Sequence, residues 1–165
     1  MLSAIIFKDK WFKNLTKRYS RARNIMTNQI KFTLNGFKRG IHLITNDVLG
    51  EVRNSEITLP ESGIFHLFTS HCSCGLSINE NCDPDVRHDM EMDFERLVPE
   101  REPYYYHTLE GSDDMPSHTK SVLVGPDITL PIVNRQIYFG TWQGIYFFEF
   151  RNNCRKRTFI ATIIS

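Results

Sequence analysis

At 165 residues, with 41% hydrophobic and 24% charged residues, the chain has the size and composition of one ordinary globular domain, which excludes disordered and fibrous classes. The formal net charge of +1 is unevenly spread: seven Lys or Arg precede Met26 against the single acid Asp9, leaving 13 basic and 18 acidic residues of the totals 20 and 19 for the rest. Such an acidic body lacks the Lys/Arg patch that neutralises nucleic-acid phosphates, and no apolar run reaches the ~18 to 20 residues of a membrane-spanning helix.

Ahead of Met26 there is no long apolar core and no small-residue cleavage site, against a secretory signal. Trp11, Phe12, Leu15 and Tyr19 fall at helical spacing among basic residues. That pattern leaves three readings open: an organelle-targeting segment, a membrane-surface helix, or an over-long start ahead of a first residue at Met26. The strand pattern directly after Met26 favours the last. Residues 1–25 are therefore expected to be a basic extension outside one domain spanning 26–165.

Ile30, Phe32 and Leu34 alternate with polar residues as in a half-buried strand, and Gly36 interrupts the run before 41–44 resumes it. Thr45 or Asn46 opens a short helix to about residue 54. Residues 63–71 read as a buried strand that ends in a polar stretch. Asp83 ahead of Pro84 is a helix start, and Val86, Met90, Phe94 and Leu97 form the apolar stripe of the helix that Pro99 closes. A further helix begins near Met115 and Pro116, with Asp114 placed to cap it and Gly125 to stop it. Strand patterns follow at 128–133, 136–139, 145–150 and 157–164, and the short links at 134–135 and 152–154 predict antiparallel hairpins. Strands outnumber helices without βαβ alternation, so the expected class is α+β with a largely antiparallel sheet. Cys72, Cys74, Cys82 and Cys154 lack C-x-x-C spacing and read as reduced thiols, which implies a cytoplasmic setting.

Three polar clusters interrupt this apolar framework: 71–87, 107–120 and 140–151. Histidine and carboxylates at the ends of strands and helices are the groups that metal binding and proton transfer require. Each also has a plainer role. Asp83 and Asp114 can be helix caps, Trp142 a core residue, Glu149 a solvated strand face, and a single histidine a hydrogen-bonding group. Recurrence of three such clusters on one small domain favours a polar site.

The stretches FHLFTSHCSCGLSINENCDPDVRHD, YYHTLEGSDDMPSHTKSVLVG and LPIVNRQIYFGTWQGIYFFEFR together resemble the YjbQ-like family, formerly uncharacterised and now often named secondary thiamine-phosphate synthase. The resemblance runs from about Ile30 to the C-terminus. It implies a compact α+β domain, a β-sandwich partly wrapped by helices, assembled as a homotrimer. The implied activity joins a pyrimidine diphosphate to a thiazole phosphate with loss of diphosphate. By motif, His71, Asn79, Glu80, His107, Glu110, Asp113, Asp114 and His118 fall on the family's polar site. The chain reads His71-Cys72-Ser73-Cys74 where members usually read H-T-S-A, and Arg135 stands where a hairpin glycine is common, so that turn is expected not to demand positive φ.

From the resemblance and the residue chemistry together come the expected roles. His71, His107 and His118 converge on one divalent metal, expected to be zinc, since three imidazoles and an open position form a known catalytic arrangement. Glu80, Glu110 and Asp113 handle protons or orient the site. Asn79, Lys120, Trp142 and Gln143 contact a phosphorylated small-molecule substrate, and Asp114 caps its helix. Magnesium, which prefers oxygen ligands, is the alternative ion with a diphosphate substrate. Three other readings use the same pocket: a metal-dependent binding protein without turnover, a metal-dependent hydrolase of a phosphorylated metabolite, and a metal-free polar pocket.

Overall fold

A computed structural model describes residues 26–153 and 156–165; the extension 1–25 and Cys154 lie outside the described residues. The order of elements is β1 (Thr27–Leu34), β2 (Gly40–Leu43), α1 (Thr45–Asn54), β3 (Ser62–Thr69), β4 (Cys74–Glu80), α2 (Pro84–Leu97), α3 (Asp114–Val124), β5 (Asp127–Val133), β6 (Gln136–Ile137), β7 (Gln143–Glu149) and β8 (Arg157–Ile164). The strands form two antiparallel sheets, ordered β1-β8-β3-β5-β6 and β2-β7-β4. The class is α+β, as the strand and helix patterns indicate. No helix among the described residues is long and apolar enough to cross a membrane.

The main core lies between the sheets. Phe65, Leu67, Phe159, Ala161 and Ile163 from the larger sheet meet Leu76, Ile145 and Phe147 from the smaller, with Val48 and Val52 of α1 closing one side. The register follows from period-2 burial: β8 alternates buried and half-buried residues along its length, which fixes the face it turns inward. Phe147 and Phe159 meet across the sheets in a T-shaped contact with centroids 5.4 Å apart.

β7 is buried on both faces, which explains its aromatic run. Tyr146, Phe148 and Phe150 form a second cluster beneath α2 and α3, packed with Met90, Phe94 and Val124. Burial of these consecutive aromatic residues is therefore complete within the single chain. At the start of α2 the Asp83 carboxylate accepts the Asp85 amide at 2.9 Å, with Pro84 at the first helical position. α3 ends at Gly125, whose φ of 99° favours glycine. It lies so close to β4 that a Cβ at Gly75 would meet Val124 at 2.7 Å.

Two expectations from the short links need correction. The 152–154 link does not make a hairpin, because β7 pairs with β2 and β4 while β8 pairs with β1 and β3. The chain instead crosses between sheets, and a buried bidentate pair closes the crossing: Arg157 Nε and Nη2 donate to Glu149 at 2.6 and 2.5 Å. Glu149, read as a solvated strand residue, is wholly buried. The 134–135 link is a two-residue hairpin turn between β5 and β6, and both residues take positive φ, 50° at Asn134 and 60° at Arg135. Such a turn follows the right-handed twist of the strands, so tertiary pairing overrides the steric preference of arginine.

Candidate functional site

α3 places Asp114 and His118 on one helical face, because residues four apart on a helix lie one above the other. The loop after α2 brings His107 to the same point. His107 Nε2 lies 2.6 Å and His118 Nε2 3.6 Å from Asp114 Oδ2, and one ligand atom from each of the three side chains lies within 4.8 Å of the others. Asp114 is buried, whereas both imidazoles are part-exposed, so the cluster opens to solvent on its histidine side. His118 Nδ1 is 3.1 Å from the Cys72 carbonyl oxygen. A carbonyl only accepts, so Nδ1 donates to it, and Nε2 is the ring nitrogen turned toward Asp114. This second contact orients a histidine as protein metal sites commonly do.

Arg151, two residues past the end of β7, holds the acidic side of the cluster. Its Nη1 pairs with Asp114 Oδ1, its Nε donates to Asp113 Oδ2 at 2.9 Å, and its Nη2 donates to the Glu110 carbonyl at 2.9 Å. A buried carboxylate needs such a partner. Burial alone would raise the Asp113 carboxyl, but the Asn152 amide and the Arg151 guanidinium outweigh it and hold it below the usual carboxylate range.

The expected three-histidine centre is corrected on this geometry. His71 Nε2 accepts the Thr158 amide at 2.9 Å, which occupies the lone pair that a metal would need, and His71 is not part of the close cluster. Burial, with Arg157 beside it, pushes the His71 imidazole below its ordinary pKa, so the ring is neutral. Asp114 stands in the third place. Its carboxylate faces Arg151 and the imidazoles and caps nothing; the N-cap position of α3 is Asp113, whose side chain makes no capping bond either. Glu110 meets Arg151 through its backbone carbonyl, with its side chain exposed.

Lys120 is also corrected. It is 1% exposed, and its Nζ donates to Glu95 Oε1 at 2.7 Å. Glu95 in turn accepts Arg39 Nη2, and Arg39 Nη1 reaches Glu100 and Asn152. The lysine thus serves an ion network that ties α2 and α3 to the start of β2, not a free phosphate. Asn79, Glu80, Trp142 and Gln143 do come together, lining a cleft of about 490 Å³ with Ile78 and Cys82. Among the described residues, this cleft shares no lining residue with the His/Asp cluster.

A family described as UPF0047 protein YjbQ-like matches residues 29–165. The chain belongs to this family. UPF0047 protein YjbQ of Escherichia coli O157:H7 is 44% identical over 135 residues, covering 82% of this chain and 96% of its own, and UPF0047 protein sll1880 of Synechocystis is 36% identical over 76% and 83%. Among solved structures, an uncharacterised yjbq/upf0047 protein of Clostridium acetobutylicum aligns with TM-score 0.69 at 32% identity, covering 81% of this chain and 98% of its own. A YbjQ-like protein of unknown function from Sulfolobus solfataricus aligns with TM-score 0.72, 18% identity, and coverage of 86% and 99%; at that identity the likeness speaks for the fold alone.

In this YjbQ-like chain the residues that sequence reading missed are Asp114 as a donor and Arg151 as its counter-charge. The signal for the first is D-x-x-x-H at 114–118, one turn of helix. Arg151 has no comparable signal, because its reach to 110–114 depends on where the sheet crossing lies. Two imidazoles and one carboxylate, with solvent on the open side, can hold a divalent cation and leave positions for water or substrate.

Proposed function

We propose that His107, Asp114 and His118 hold a divalent metal, zinc in preference to magnesium because two of the three donors are imidazoles, in an enzyme acting on a phosphorylated small molecule. The observation that carries this reading is the meeting of three donor atoms within 4.8 Å. The hydrogen bond from His118 Nδ1 to the Cys72 carbonyl, which orients the ring, supports it. When bound, the cation supplies Lewis-acid stabilisation to the oxygens of a departing group. The chain's own residues fix its place: Cys72 orients His118, and Arg151 offsets the charge of Asp114. The finer reading, from the family resemblance, is a secondary thiamine-phosphate synthase. There the thiazole nitrogen forms a bond to the pyrimidine methylene carbon as that carbon's bond to diphosphate breaks, and diphosphate leaves with the electron pair.

A second reading, a hydrolase of a phosphorylated metabolite, draws on the same donor set, since two histidines and a carboxylate with an open position also suit water activation. We assign the enzyme to the cytoplasm on its cysteine usage, and to a homotrimer. Leu109 and Val122, which are 99% and 84% exposed in one subunit, are apolar enough to support burial between copies. Metal analysis of protein purified without chelator, then incubation of the loaded protein with both thiamine precursors, tests the proposal. Thiamine phosphate that forms with the native protein and vanishes with His107→Ala supports synthase activity. Release of inorganic phosphate from single precursors points to the hydrolase, and ligand retention without product leaves a binding protein.

A further inference from the structure

A second cavity, of about 510 Å³, opens beside the cluster, and His107 is common to both. Its floor is Val98, Tyr105, Met115 and Thr119, and Leu97, Tyr104 and Tyr106 form its rim. Among the described residues that line it, none is Asp, Glu, Lys or Arg. Among the described residues, Lys120 is committed to Glu95 and Arg151 to Asp113 and Asp114. Tyr105 is held in place by its hydroxyl, which donates to the Pro99 carbonyl, and by an edge-on contact with Tyr104 at 4.9 Å between centroids. The volume lies in the range of small-molecule sites, and a neutral wall of tyrosine, methionine and leucine repels phosphate by desolvation while it welcomes a flat apolar surface.

We infer that this groove receives an uncharged planar ring of the ligand whose polar group reaches the His107–Asp114–His118 centre, and that phosphate groups stay outside the groove. The inference rests on the metal-centre reading above and adds the chemistry of its neighbour. Continuity through His107 is what commits the groove to part of the same ligand rather than to a second copy of the chain.

Acetohydroxamate and benzohydroxamate test it, because they present the same zinc-chelating group and differ by a methyl against a phenyl. Titration calorimetry with the zinc-loaded full chain should show benzohydroxamate binding at least about tenfold more tightly, the scale expected for burying a phenyl ring among aromatic side chains. Thr119→Trp, which fills the floor, should bring the two affinities together. Equal affinities in the native protein overturn the groove assignment while leaving the metal centre standing, and this is also the result if a second copy fills the groove. Absence of binding by either probe, or failure to retain zinc, overturns both readings. The native comparison decides even if the variant does not fold.

Discussion

Asp114 is the residue on which the site turns, since it touches both imidazoles and Arg151 from a buried position. Asp114→Asn keeps the shape and removes the charged oxygen donor, so zinc affinity should fall by about 10- to 100-fold, or more, measured by competition with a chromophoric chelator. Affinity within twofold of the native value would remove Asp114 from the centre. His71 makes a different prediction, because its role is in the fold. Its folded pKa lies below the unfolded value of about 6.5, so the unfolded chain binds the proton first, and stability present above that value is lost as pH falls through it toward the folded one. Asp113, also depressed, acts likewise below about pH 4, where the unfolded carboxylate begins to take its proton. Melting temperature should thus decline in two stages on acidification. Glutamine can still accept the Thr158 amide without titrating, so His71→Gln should erase the first stage alone; an unchanged profile would show that His71 does not cause it.

At the scale of elements, much was legible. The Asp83-Pro84 start and the apolar stripe of α2 follow from local chemistry, and so do the alternating strands and the glycine stop of α3. What local chemistry did not reveal was how the links behave, since hairpin and crossing look alike in sequence until partners are assigned. The β5–β6 turn shows the cost. Arg135 holds φ at 60° in a conformation that glycine adopts freely, and its ion pair with Glu61 at 3.2 Å is solvent-exposed and worth little. Relief of left-handed strain outweighs the added chain entropy of glycine, so Arg135→Gly should stabilise the protein by about 0.5 to 1 kcal/mol. Chemical denaturation reads this directly, and a lower midpoint at unchanged slope would mean that the turn carries no strain.

For the whole molecule, the sequence showed the polar residues but not which of them would be spent on the fold. Lys120, Glu149 and His71 are chemically suited to a site, yet each is committed to a structural partner, the first two by burial and His71 by the Thr158 amide. The largest such commitment is Glu149 with Arg157, the pair that closes the crossing between the two sheets, with Glu149 also accepting the Arg151 amide at 3.0 Å. Removing one charge leaves the other buried and unpaired, so Glu149→Gln should cost about 3 to 5 kcal/mol of unfolding free energy. Replacing both partners, Glu149→Leu with Arg157→Met, removes the orphaned charge and should recover most of that loss, because the desolvation penalty goes with the ions. Because Arg151 sits two residues beyond Glu149, zinc affinity should weaken in the single variant alongside stability. Urea titration of the native, single and double variants separates the outcomes: a Glu149→Gln loss under about 1 kcal/mol would show that water or neighbouring groups already satisfy Arg157, and that the crossing is held by packing of Phe147 on Phe159 instead.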